Sequence, residues 1–155
     1  MTVDGRVVGE IGTGVLALIA ATHTDTAAEA ATMARKIAEI RLLADDTSIQ
    51  DHVDDPGDGD GDGDGDGDSG DDGDNVRGAR PAVLVVSQFT LYGSTKKGRR
   101  PSWSDAAPGP VAEPLVDLVA AGLRERGVTV ATGEFGADMD VALVNDGPFT
   151  LVIDT

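Results

Sequence analysis

One stretch decides what the rest of this chain can fold into. Between Asp51 and Asn75 the sequence holds twelve Asp and eight Gly, with no Lys or Arg. Its centre, from Gly57 to Asp68, alternates glycine and aspartate. Such a segment has no apolar surface to offset the entropy of ordering, and its charges repel one another. Residues 51–75 are therefore expected to form a disordered insert, and the fold must be assembled from the two flanks. At 155 residues, the chain is read as one domain, 1–155, interrupted by that insert. The insert also carries most of the charge. Taking its twelve carboxylates out of the formal −16 leaves −4 over the other 130 residues. The body is only mildly acidic, so a polyanionic partner is not excluded.

The run Asp60-Gly61-Asp62-Gly63-Asp64-Gly65 resembles the start of a calcium loop, with Asp71 at position twelve. Position eight, however, is Gly67 where an apolar anchor belongs, and no helical pattern flanks the run. Weak cation condensation on a floppy loop is the plainer expectation. No metal site is assigned.

Several other chemistries fall away quickly. There is no cysteine, which removes disulfides, thiolate metal sites and cysteine nucleophiles. Only His23 and His52 are present, too few for a multi-histidine zinc site. The longest apolar run, Val15 to Ala21, is far short of a membrane span. The first residues have neither the basic start nor the apolar core of a signal peptide. A cytoplasmic protein with no membrane partner is the simplest expectation. Aromatic residues are 3 % of the chain, so the core must be built from Val, Leu, Ile and Ala.

In the flanks, Asp4-Gly5 between β-formers predicts a hairpin over Thr2 to Ile11. Val15 to Ala21 reads as a buried strand. Thr26 with Glu29 three residues on fits a capping box, and apolar positions keep helical spacing from there to about Leu43. Ala82 to Leu91 is a buried strand that turns polar at its end. Tyr92 to Pro110 is a loop with a basic knot, Lys96, Lys97, Arg99 and Arg100. Val111 to Arg126 is a second helix with Leu115, Leu118, Val119, Gly122 and Leu123 as its apolar stripe. Pro114 fits its first turn and Gly127 its stop. Val128 to Val130, Met139 to Val144 and Phe149 to Ile153 read as the last strands. Two main helices with hairpin-type connections at both ends favour an α+β fold, a single domain with a mixed, curled β-sheet.

No Gly-x-Ser-x-Gly elbow, P-loop or dinucleotide fingerprint is present. A Ser/His/Asp triad would need His52, at the edge of the insert, or His23, whose place before a helix cap suits a structural role. What remains are two polar clusters at strand ends, Ser87-Gln88-Phe89-Thr90-Leu91 and Asn145-Asp146-Gly147-Pro148-Phe149-Thr150. On residue chemistry alone both are accounted for as turns.

Taken together, the two clusters resemble the paired signatures of the D-aminoacyl-tRNA deacylase (D-tyrosyl-tRNA deacylase) family, Ser-Gln-Phe-Thr-Leu and Asn-x-Gly-Pro-x-Thr. The resemblance extends over Val3 to Gly14, Thr22 to Thr26, Ala34 to Ile37, Lys97 to Ser102, Phe135 to Met139 and Leu143 to Asn145. It passes over only the acidic insert. It implies a deacylase-like fold and a homodimer with active sites at the subunit interface. The implied reaction is hydrolysis of the ester joining a D-amino acid, or mischarged glycine, to the terminal ribose of tRNA. Ser87, Gln88, Phe89 and Thr90 are then the candidate catalytic residues. Gly147 and Pro148, a Gly-cis-Pro in the family, reach into the partner's pocket and block L side chains, with Asn145 and Thr150 supporting that motif. Lys96, Lys97, Arg99 and Arg100 are the candidate tRNA contacts, and no cofactor is implied.

The chemistry is compatible with such a site. An aminoacyl ester is already activated, so positioning and oxyanion stabilisation can suffice, and backbone N–H groups can supply the latter. The N–H of Phe89 or Thr90 is the candidate donor. Thr90 has no base beside it in sequence and is expected to orient substrate or water. Trp103 and Tyr92 either stack on a base or anchor the loop, with anchoring favoured. The family opens with a strand of about a dozen residues before the hairpin. Met1 falls after it, so this chain is expected to lack that strand, a start placed too far downstream being the favoured explanation. Two other functions stay open: a non-catalytic nucleic-acid-binding member of the fold, and an acidic cation-binding interaction module.

Overall fold

The computed structural model describes residues 1–55, 80–96, 99–147 and 149–155. Most of the acidic insert, with its calcium-like run, therefore lies outside the described residues, as do Lys97 and Pro148. The elements are β1 (Thr2–Val3), β2 (Arg6–Val7), β3 (Gly14–Ile19), α1 (Ala27–Glu39), β4 (Arg41–Leu43), β5 (Thr47–Ser48) and α2 (Ile49–Asp54). They continue with β6 (Ala82–Ser87), α3 (Gly109–Glu125) and β7 (Val130–Thr132). Short 3-10 turns cover Ala44–Asp46 and Phe89–Tyr92.

β3, β6 and β7 form a parallel sheet in that order, with Ile19 opposite Ser87 at one end and Val83 opposite Val130 on the other side. β1–β2 and β4–β5 are separate antiparallel pairs. β6 is central and buried over Ala82 to Val86, as its unbroken apolar run predicts for a strand covered on both faces. α1 and α3 pack against each other and against one face of the sheet. The core joins Ala17 and Ile19 of β3 and Val83 and Val85 of β6 to Ala34, Ile37, Val119 and Leu123 of the helices. Alanines on α1 let the helices approach closely, so a core with few aromatics still closes. The result is an α+β single domain whose two long helices share a layer, as expected.

Local chemistry explains the boundaries. Asp4 and Gly5 both take positive φ, the conformation a two-residue hairpin requires. Thr26 caps α1 with the reciprocal Glu29 bonds of a capping box. At the end of α3, the Val128 N–H donates to the Leu123 carbonyl at 3.2 Å across Gly127.

Five expectations need correction. α1 stops at Glu39 rather than running to Leu43, and residues 41–43 pair as β4 instead. Residues 51–54, assigned to the insert, belong to α2, which Ser48 and Asp51 start with a second capping box. α3 begins at Gly109 with Pro110 in its first turn, so Pro114 lies inside the helix. Its buried stripe runs through Val116 and Ala120, and Leu118 is 44 % exposed. Finally, no strand occurs among the described residues of 141–155. Only Asp140 bridges, to Thr2, and Val144 is 94 % exposed. A strand is defined by its neighbour: alternating apolar residues cannot make a ladder where no partner edge lies alongside.

Among the described residues, no helix is long and apolar enough to cross a membrane.

Candidate active site

The parallel sheet fixes where the first motif emerges. β6 ends at Ser87, level with the end of β3, and the next N–H, that of Gln88, donates to the Ile19 carbonyl at 2.7 Å. The chain then leaves the sheet at its carboxyl edge, where open parallel sheets place their ligands. Phe89–Tyr92 curls into the 3-10 turn, closed by Leu91 N–H to Gln88 O (3.2 Å) and Gly93 N–H to Thr90 O (2.9 Å). Two donors are left over. Among the described residues, the N–H groups of Phe89 and Thr90 have no hydrogen-bond partner. They are adjacent, they start a helical turn, and both residues are exposed. That is an arrangement suited to a developing oxyanion.

The side chains complete the picture. The Gln88 amide Nε2 donates to Thr90 Oγ1. No imidazole, carboxylate or amine bonds to that hydroxyl among the described residues, in keeping with an orienting role. Ser87 borders a small cavity of about 50 Å³ with Thr132, Gly133 and Phe135. Phe89 and Leu91 stand exposed, each at 55 %, unusual for large apolar groups beside polar ones. Phe89 meets Trp103 edge-on, with ring centroids 5.5 Å apart and an interplanar angle of 83°. Trp103 thus anchors the loop as expected. Its target, Phe89, was not legible in sequence, because two aromatics fourteen positions apart across a loop carry no periodic signal. Tyr92 lines the cleft beside the turn. Burial, then the carboxylates of Asp25 and Asp154, raise its phenol above the ordinary tyrosine value, so it stays a protonated donor near neutral pH.

The basic loop starts from a two-way backbone pair, Ser94 with Ser102, at 2.8 and 2.9 Å. Lys96, Arg99 and Arg100 are exposed, and none takes part in an ion pair among the described residues. His23 bonds through its ring to the Ser104 carbonyl at 3.1 Å, and His52 to the Thr47 hydroxyl at 3.1 Å. Both histidines make structural contacts and stand apart from the motif's hydrogen bonds. No group of three His, Asp or Glu side chains that could hold a metal occurs among the described residues.

The second motif makes no hydrogen bond to the first among the described residues. It lies along 141–155, bordering an open cleft of about 1790 Å³ under β3 that Leu91 and Tyr92 also line. Asn145 Nδ2 donates to Thr150 Oγ1 at 3.0 Å, closing the loop across Gly147. Gly147 has φ +139°, and a Cβ there would sit 2.9 Å from the backbone nitrogen of Phe149. Only glycine suits both demands.

Comparison with known proteins bears on this arrangement. A family described as D-Tyr-tRNA(Tyr) deacylase matches residues 1–59 and 66–154. A D-aminoacyl-tRNA deacylase of Beutenbergia cavernae is 50 % identical over 153 residues, covering 98 % of this chain and 89 % of that protein. One of Thermobifida fusca is 50 % identical over 155 residues, covering 99 % and 91 %. Among solved structures, the c-Myc DNA Unwinding Element Binding Protein superposes with a TM-score of 0.74 at 28 % identity, covering 99 % of this chain and 90 % of its own. On the family match over nearly its whole length, and on relatives half identical to it, this chain belongs to the D-Tyr-tRNA(Tyr) deacylase family.

Proposed function

We propose that this protein hydrolyses the ester bond of D-aminoacyl-tRNA, and of glycine mischarged on tRNA, releasing free amino acid and tRNA. The observation that carries the reading is the pair of unpartnered N–H groups of Phe89 and Thr90 at the carboxyl edge of the sheet. In the reaction, water adds to the ester carbonyl carbon and the carbonyl oxygen takes up negative charge. The two amides stabilise that charge where it develops. The tetrahedral intermediate then collapses, the bond to the ribose oxygen breaks, and the water's proton passes to that oxygen. Thr90 Oγ1, already accepting from Gln88, has its own proton free to orient the substrate or the attacking water. Because the ester is activated, no strong base is required.

The same reading makes the protein a cytoplasmic homodimer. Gly147 and Pro148 of one subunit enter the partner's pocket and leave no room for an L side chain. The glycine-only geometry of Gly147 supports this. Arg99 and Arg100, together with Lys96 and Lys97, take the tRNA phosphates. The test is hydrolysis of D-tyrosyl-tRNA against L-tyrosyl-tRNA. Turnover of the D form alone is expected. Equal rates would overturn the chirality reading, and no turnover of either would overturn the enzyme. A second reading, nucleic-acid binding without catalysis, draws on the structural likeness to the c-Myc DNA Unwinding Element Binding Protein. It predicts tRNA or DNA binding with both esters left intact.

A further inference from the structure

The Phe89–Tyr92 turn is held down poorly for an element on which catalysis depends. None of its residues is buried, and Gln88 offers no side-chain cap. Its backbone is tied to the sheet by a single bond, Gln88 N–H to Ile19 O, before the turn begins. Beyond that point Trp103 packs on it, and the Ser94–Ser102 backbone pair holds the chain just past its end. The indole touches the turn at both ends. At the start, Phe89 meets it edge-on at 5.5 Å, the sole aromatic ring pair among the described residues. At the end, the ring lies over Gly93, where an added Cβ would fall 2.5 Å from Trp103 Cζ3 and 2.9 Å from the Thr90 carbonyl. A missing side chain at 93 is thus the space the indole occupies.

Trp103 is itself well fixed. Ser102 before it pairs both ways with Ser94, and its own carbonyl accepts from the Ala106 N–H at 3.1 Å. The Ala107 N–H then bonds Ala21 O at 2.8 Å, returning the loop to the end of β3. The loop is therefore clamped to the sheet on one side and leans on the turn through one ring.

We propose that Trp103 is a positioning residue: it holds the Phe89–Tyr92 turn, and with it the free amides of Phe89 and Thr90, in register with the sheet edge. It also links that turn to the loop bearing Arg99 and Arg100. Its catalytic consequence rests on the deacylase reading, whereas its mechanical content does not.

Two measurements on the full-length chain test it, using Trp103→Ala, Trp103→Phe and Gly93→Ala. In the first, amide hydrogen exchange is followed at Leu91 and Gly93, the bonds that close the turn. Trp103→Ala should speed exchange there by about five- to tenfold, the worth of an edge-to-face pair, and leave β6 and α1 unchanged. Unchanged exchange would overturn the proposal whether or not the protein is an enzyme. In the second, D-tyrosyl-tRNA kinetics should show kcat lowered about five- to tenfold with KM within about twofold. Trp103→Phe should restore most of the rate, and Gly93→Ala, whose Cβ would push on the indole and on the Thr90 carbonyl, should reproduce the loss. A change in KM alone would mean that Trp103 contacts RNA directly and would overturn positioning. Wild-type protein that leaves D-tyrosyl-tRNA intact would defeat the deacylase reading, and the exchange data would still decide the role of Trp103.

Discussion

Thr90 is the residue at which mechanism is most sharply at stake. Its hydroxyl accepts from the Gln88 amide, and no base bonds to it among the described residues. A side chain so placed can orient but has no route for losing its proton. Thr90→Ala should therefore lower single-turnover deacylation by about tenfold or less, since loss of a general acid or base typically costs about 10²–10⁴. A collapse of activity with tRNA binding and folding intact would mean the hydroxyl does chemistry. The neighbouring residues show why composition was a poor guide to this site. A hydrolase with two histidines invites a search for a triad, yet His23 is engaged with the Ser104 carbonyl and His52 with the Thr47 hydroxyl of β5. The groups proposed to hold the oxyanion are main-chain donors, which every residue but proline carries and no composition reveals.

At the scale of elements, both helices that begin with a capping box do so through a carboxylate that bonds back to its cap. Hydrogen bonds from the Thr26 hydroxyl, then its backbone, lower the Glu29 carboxyl. The Ser48 backbone, then its hydroxyl, do the same for Asp51. A folded value below the unfolded one means the stabilisation is whole above the ordinary carboxylate range. It is lost as pH falls through the folded value. Urea midpoints should thus decline below about pH 4, and less so in Glu29→Gln, which has no carboxylate at that cap to protonate. Thr26→Ala should cost about 1 kcal/mol at neutral pH by the same measurement. The Thr26 cap was readable because all its determinants lie within four residues, whereas the Ser48 cap, with Asp51 assigned to the insert, was not read. Thr26 and Glu29 announced α1, and Asp4-Gly5 announced the first hairpin. By contrast, Met139 to Val144 and Phe149 to Ile153 have strand-like patterns and form none, because pairing depends on a remote neighbour. The short β4, β5 and α2 were hidden for another reason: Leu42, Ile49 and Val53 are too few and too irregular to set a period.

For the whole molecule, the formal charge of −16 would argue against an RNA partner if it were evenly spread. It is not. The exposed Arg99 and Arg100, in no ion pair among the described residues, sit on the loop that Trp103 ties to the motif. Reversing both to Glu should weaken tRNA binding and reduce the slope of log affinity against log salt by about one to two. Unchanged affinity and slope would remove the pair from the interface. Arg80, where the described chain resumes after Asp55, lies beside the amino end of β6, whereas the motif leaves from its carboxyl end. Six strand residues separate those ends by about 20 Å. The two ends of β6 can therefore vary under separate constraints. Lengthening or recharging the connection at one end leaves the register of Ser87 against Ile19 untouched, so descendants of this fold are free to elaborate the first while conserving the chemistry at the second.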